Sequence, residues 1–186
     1  MKVIAGTAKG RNLIAPEGLD TRPVTSKIKE ALFSSWQFLI PGADFLDLFA
    51  GSGSMGIEAL SRGAANVVFV EKSKRAVEVI KKNLSVCKFT EGFQICQDDV
   101  FDRLRMLHNI GSSFDLIYLD PPFTVEGIFL PVMNALAEAD ILKEDGIIGI
   151  RTPKEMDIPD DFGKLHKFKK KKYGISTIHF YSLNEE

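Results

Sequence analysis

Phe45-Leu46-Asp47-Leu48-Phe49-Ala50 leads without a break into Gly51-Ser52-Gly53-Ser54-Met55-Gly56. The first six residues are too apolar for an exposed loop and too few for a helix, so they read as a buried strand. The glycines permit a tight turn, let a ligand approach bare backbone, and open a helix over 56–62. Strand, glycine turn and helix in that order form the first unit of an open α/β sheet, whose ligands bind at the strands' carboxyl ends.

Strand and helix signals alternate outward from this unit. A strand over 67–70 precedes a helix over 76–86 with a Ser73 cap. Strand 93–96, helix 100–107, strand 114–119, helix 129–138 and strand 146–150 follow. Two closing strands over 165–172 and 175–183 flank Tyr173-Gly174. Such alternation specifies a mostly parallel sheet with helices on both faces and right-handed crossovers. Upstream, 2–5 and 11–15 flank Gly6 and Gly10 and read as a short hairpin. Thr25 or Ser26 then caps a helix in which Ile28, Ala31, Leu32, Trp36 and Leu39 keep helical spacing until Pro41-Gly42. The expected organisation is an N-terminal hairpin and helix extension over 1–42 and an α/β core over 43–186.

With 186 residues, 45% apolar and 26% charged, the composition is that of a globular protein and excludes a disordered or fibrous class. No apolar run has the length of a signal peptide core or a membrane span, so a cytoplasmic protein is expected. Cys87 and Cys96 lack metal-binding spacing, and His108, His166 and His179 are scattered, so free thiols and no metal are expected. The net charge of -1 conceals basic ends. Arg11, Arg22, Lys27 and Lys29, with Thr25, are candidate contacts to an RNA backbone. The run Lys169 to Lys172 reads equally as phosphate contacts or as a lysine-guarded edge strand. No long exposed apolar stripe is evident, and a monomer is expected.

Gly-x-Gly-x-x-Gly alone is weak evidence for any one cofactor. Two acids sharpen it: Glu71, ending the second strand, is spaced to accept from ribose hydroxyls, and Asp47, before the glycines, is placed to face an ammonium group. NAD would bring a pyrophosphate to this turn, whereas S-adenosylmethionine brings an amino acid and a sulfonium; the extra carboxylate favours the cation. Of Asp98 and Asp99, one accepts from an adenine amine and the other caps the next helix; Asp99 is preferred for adenine, with the two roles exchangeable. The expected cofactor set is therefore Asp47, Phe49, Ala50, Gly51, Ser52, Gly53, Glu71, Lys72, Asp99 and Val100.

The fourth core strand ends in Asp120-Pro121-Pro122-Phe123. The prolines lack donors and stop both further pairing and helix formation. Asp120 then offers an anionic acceptor, the Pro121 carbonyl a second acceptor, and Phe123 a stacking face. Two acceptors and a flat apolar surface suit an exocyclic amine on a nucleobase.

Asp47-Leu48-Phe49-Ala50-Gly51-Ser52-Gly53, Glu71, Asp99 and Asp120-Pro121-Pro122-Phe123, in this order, resemble a class I S-adenosylmethionine-dependent methyltransferase acting on a base amine. Over nearly the whole chain the resemblance is to the bacterial 16S rRNA guanine-N2 methyltransferases of RsmD type. Ile4-Ala5-Gly6, Lys9-Gly10-Arg11, Thr21-Arg22-Pro23-Val24-Thr25, Lys29-Glu30-Ala31-Leu32-Phe33 and Lys172-Tyr173-Gly174 resemble that family's leading segment and closing hairpin. Lys27 and Lys29 depart from the arginines usual there. The resemblance implies a Rossmann-like fold with a seven-stranded sheet, S-adenosylmethionine as methyl donor with S-adenosylhomocysteine as product, and one guanosine of 16S rRNA, in the small subunit or an assembly intermediate, as substrate. An adenine-N6 methyltransferase on DNA or RNA is the near alternative; an NAD-dependent oxidoreductase and a non-catalytic RNA-binding assembly protein are the distant ones.

Overall fold

The structure is a computed structural model of the chain and describes residues 1–18 and 24–184. It is an α/β sandwich of helices around one sheet. The core alternates as β1 (Asp44–Leu48), α2 (Ser54–Ser61), β2 (Asn66–Val70), α3 (Lys74–Val86), β3 (Phe93–Cys96), α4 (Val100–Asn109), β4 (Phe114–Leu119) and α5 (Phe129–Ala139). It closes with β5 (Leu142–Pro153), β6 (Asp161–Phe162), β7 (Leu165–Tyr173) and β8 (Ser176–Leu183), while α1 (Ser26–Ser35) precedes it. The strand order is β3-β2-β1-β4-β5-β8-β7-β6. The pairs from β3 to β5 are parallel, and β8, β7 and β6 are added antiparallel.

The expected sheet of seven strands has an eighth. β6 is two residues long, set between Pro159 and Gly163, whose φ of 56° turns the chain back onto β7. Three further boundaries differ. α1 stops at Ser35, and Trp36, Leu39 and Ile40 continue in tighter turns to Gly42. β5 extends beyond 146–150 in both directions, to Leu142 and Pro153. The leading hairpin reduces to one bridge, Lys2 to Asn12, with hydrogen bonds from Val3 N to Arg11 O and from Gly10 N to Val3 O.

Side-chain alternation along the strands sorts the core into two layers. Phe45, Leu116 and Tyr118 pack with α1, α2 and α3, through Leu32, Phe33, Ile57 and Ile80. Leu46, Leu48, Ile117 and Leu119 pack with α4 and α5, through Leu104, Val132 and Leu136. Asp47 and Asp120 continue the first set by parity, so both point to the α2 side at the carboxyl end of the sheet.

The N-terminal segment is fastened to this layer by a buried carboxylate. Glu58 of α2 accepts from Ile4 N (3.0 Å) and Ala5 N (3.1 Å), and pairs with Lys29 (3.3 Å) and Arg62 (2.9 Å). Asn83 of α3 adds a second tie, accepting from Ile14 N and donating to Ile14 O and Ser52 O. Among the described residues no helix is long and apolar enough to cross a membrane.

Candidate active site

β1 ends at Leu48, and Phe49 follows with φ of 59°, a left-handed conformation that costs a non-glycine residue of order 1 kcal/mol or more. That twist turns the chain out of the sheet and into Gly51-Ser52-Gly53. Gly53 stands at the N-cap of α2 with φ of 77°. Gly56 is required for another reason: a Cβ there would lie 2.3 Å from the Phe69 ring, so α2 sits directly on β2. Asp47, 1% exposed, accepts from Gly56 N at 3.0 Å and fixes the start of α2 over the end of β1.

A cleft of about 240 Å³ opens above these strand ends. Its walls include Asp47, Phe49, Ala50, Gly51, Ser52, Glu71, Lys72, Asp98, Asp99, Val100, Tyr118, Asp120 and Pro122. Five carboxylates thus face one lysine around a small volume. Burial pushes the Asp47 carboxyl well above the usual range, with the nearby charges of Asp120 and Glu71 adding to the rise. With Arg103 and Arg151 pairing two of these carboxylates, acceptors still outnumber donors, and the cleft suits a cationic or hydrogen-bond-donating ligand. Glu71 is held in place from both sides, accepting from Gly51 N (2.9 Å) and Ser73 N (2.8 Å).

Asp99 caps α4, accepting from Phe101 N at 2.9 Å, and Asp98 is ion-paired with Arg103. The helix-cap role expected of Asp98 therefore belongs to Asp99, whose extended backbone places its carboxylate over the first turn. Both residues line the cleft.

Asp120 leaves β4 beside β1, its N–H donating to Leu48 O at 3.3 Å. One carboxylate oxygen accepts from Arg151 Nε at 2.8 Å, and the Arg151 guanidinium lies 4.8 Å over the Phe123 ring. Arg151 Nη1 also donates to Ser176 Oγ at 3.1 Å. Burial raises the Asp120 carboxyl, and Arg151 opposes that rise. Phe123 is exposed and Pro121 buried, and neither belongs to the cleft wall.

The family described as Conserved hypothetical protein 95 matches residues 1–182. The chain belongs to this family. It is similar to the Bacillus subtilis protein named "Putative rRNA methyltransferase YlbH", with 36% identity over 97% of this chain and 98% of the relative. It is also similar to the Haemophilus influenzae ribosomal RNA small subunit methyltransferase D, with 34% identity over 97% and 93%. Among solved structures, "Putative methyltransferase yhhF" from Escherichia coli superposes with a TM-score of 0.83 at 26% identity, covering 100% of this chain and 99% of that one.

In this member of the Conserved hypothetical protein 95 family, the cleft gathers the expected cofactor residues apart from Gly53, which lies beneath as the helix cap. The expected RNA contacts fare differently. Arg11, Thr25 and Lys27 are exposed, and Thr25 caps α1 through Ile28 N; Arg22 lies outside the described residues. Lys29 is corrected: it is 2% exposed, its ammonium held by Glu58, Lys2 O and Ser54 Oγ, and it cannot reach an RNA surface. Burial lowers its pKa, against the pull of Glu58.

Three polar residues of the site and its supports escaped sequence reading. Arg151 follows the apolar run Gly146 to Ile150 as a lone cation at a strand's carboxyl end, which was its one available signal. Glu58 interrupts the apolar face of α2. Asn83 occupies a position in the stripe of Ala76, Val77, Ile80 and Leu84 where an aliphatic residue would fit.

Proposed function

We propose that the chain transfers a methyl group from S-adenosylmethionine to the exocyclic N2 amine of a guanosine in 16S rRNA, in the small ribosomal subunit or an assembly intermediate. The observation that carries this reading is a carboxylate, Asp120, oriented by Arg151 at the wall of an acid-lined cleft that the Gly51-Ser52 turn also lines. Relatives named as ribosomal RNA methyltransferases span nearly all of the chain, which supports methylation of rRNA.

The residues present fit the cofactor. Asp47 and Glu71 supply acceptors for an ammonium and for ribose hydroxyls, and Asp98 or Asp99 one for an adenine amine, while the cleft's surplus of carboxylates suits a sulfonium. When bound, the cofactor supplies an electrophilic methyl group. The protein's task is alignment, worth up to about 7 to 11 kcal/mol when nucleophile and leaving group are held in line.

A guanine amine is a weak nucleophile because its lone pair is delocalised into the ring. Asp120 and the Pro121 carbonyl, as acceptors for its two N–H groups, favour a pyramidal nitrogen and stabilise positive charge developing there. The nitrogen becomes strongly acidic only after transfer, so Asp120 need not be a strong base beforehand. Phe123 supplies a stacking face for the base once it has left its own stack. Arg11, Arg22, Thr25 and Lys27 contribute backbone contacts from the extension over 1–42.

Methyl transfer from labelled cofactor into naked rRNA, free small subunits and DNA, followed by nucleoside analysis, tests this directly. N2-methylguanosine in rRNA is the expected product. N6-methyladenine in any of these would assign the adenine alternative, and thermal stabilisation by NAD in place of S-adenosylhomocysteine would overturn the cofactor.

A further inference from the structure

The cleft and Asp120 account for the reacting groups but not for how a long polyanion is guided to them. The answer lies in the register of the antiparallel strands. Arg151 of β5 is paired with Ile178 of β8, and Ile178 with Lys171 of β7. Directly paired residues share a face, so Arg151, Ile178 and Lys171 form one row across the sheet, with Lys171 about 10 Å from Arg151 at two strand spacings. The adjacent rows are Gly149, Phe180, Lys169 and Pro153, Ser176, Tyr173.

The lysines of β7 are used differently, and on the Lys170 face Lys172 has no carboxylate partner among the described residues. Lys167 and Lys170 are paired with Asp157, and Lys167 with Asp160 as well. Lys169 and Lys171, on the Arg151 face, have no carboxylate partner among the described residues; their ammonium groups lie over the Phe180 ring at 5.6 Å and the Tyr173 ring at 5.1 Å. Phe168, at the bulge in β7, is 49% exposed with its ring 6.2 Å from Phe180. Unneutralised cations interleaved with aromatic rings, in rows that lead to the catalytic carboxylate, match what a single-stranded nucleic acid requires: charge for phosphates and flat surfaces for bases.

We infer that the face of the β7–β8 hairpin carrying Phe168, Lys169, Lys171 and Tyr173 is the docking track for the RNA strand flanking the target nucleotide. This rests on the reading of the chain as an rRNA methyltransferase. Lys169 and Lys171 contact phosphates, and Phe168 stacks a flanking base. The track reaches Asp120 from the β7 side of β4, whereas the glycine turn lies on the other side of β4, at the end of β1.

The test compares wild-type protein, a K169Q/K171Q variant and a K81Q/K82Q control with two exposed α3 lysines removed. Binding of a labelled 16S rRNA transcript is measured against salt. S-adenosylhomocysteine stabilisation serves as the check on folding. The expected result is a slope of log affinity against log salt reduced by about 1.4 in the first variant, from two single-strand phosphate contacts, and unchanged in the control. An unchanged slope in K169Q/K171Q, with wild type binding and methylating rRNA, overturns the track and leaves the proposed function standing. Self-association of K169Q/K171Q with unaltered RNA binding also overturns it, assigning the lysines to guarding the β7 edge. A wild type that neither binds nor methylates rRNA removes both.

Discussion

Arg151 Nε donates to Asp120 Oδ1 at 2.8 Å, and the same guanidinium covers one face of Phe123. One buried cation thus sets the orientation of both the acceptor and the stacking ring of the proposed amine site. It comes from β5, the strand next to β4 in the sheet, so the pairing of the two strands determines the pairing of the two side chains. Removing the fork leaves Asp120 free to rotate and without its counter-charge.

Replacing Arg151 with Gln is accordingly expected to lower turnover about 10 to 100-fold, the loss of a charge-assisted hydrogen bond, with S-adenosylhomocysteine binding retained. A pH–rate profile gives the sharper readout. Burial pushes the Asp120 carboxyl up and Arg151 pulls it down, so the variant's carboxylate is protonated at higher pH and its acid limb moves upward. An acid limb that stays in place would contradict the assignment.

Glu58 carries the attachment of residues 4 and 5 to α2. Glu58→Ala leaves Lys29 buried without its partner and two backbone N–H groups without an acceptor. A loss of about 3 to 5 kcal/mol in denaturant unfolding is expected. Lys29→Gln should likewise lower stability while the RNA salt slope stays at the wild-type value; a reduced slope would return Lys29 to the RNA surface.

Gly56→Ala tests the contact between α2 and β2. Its Cβ would meet Phe69 at 2.3 Å and Val67 at 2.8 Å, and overpacking of this kind costs about 1 to 3 kcal/mol. Because Gly56 N also donates to Asp47, cofactor affinity should fall together with the melting temperature. A variant as stable as wild type would show that α2 can move away without consequence.

His179 is fully buried beside Thr152, with burial the main reason that its pKa falls to about 4. In the unfolded chain it titrates near 6.5. The imidazole is therefore neutral in the fold, and its contribution to stability is full above pH 6.5 and declines as pH falls toward 4. Imidazole chemical shifts followed from pH 8 to 4 should stay flat until near the lower end; a midpoint near 6.5 would contradict the burial argument.

Much of this architecture could be read from local pattern. β3 and β4 match their expected bounds because short segments rich in apolar and aromatic residues, each with one polar residue inside, end at polar or proline residues, and Ser73 caps α3 as its position before the stripe implied. Glycine spacing and the Asp-Pro-Pro-Phe ending pointed to the strand ends where the cleft lies, with Gly51, Asp120 and Pro122 in its wall, because those residue types report backbone constraint directly. What escaped was long-range. Lys29 resembles an exposed helix lysine until Glu58, twenty-nine residues away, is seen to bury it. Arg151 shows locally only as a cation after an apolar run, because its partner stands on another strand, and the two-residue β6 is too short to show a period. Whether Asp98 or Asp99 caps α4 depends on one backbone turn that composition does not encode.

The central claim is that Asp120 holds the base amine for transfer. Methyl transfer from labelled S-adenosylmethionine into small ribosomal subunits, measured for Asp120→Ala beside wild type, tests it most directly. The account predicts a rate lower by at least about 10²-fold, with S-adenosylhomocysteine still raising the melting temperature of the variant. A rate near that of wild type would contradict it.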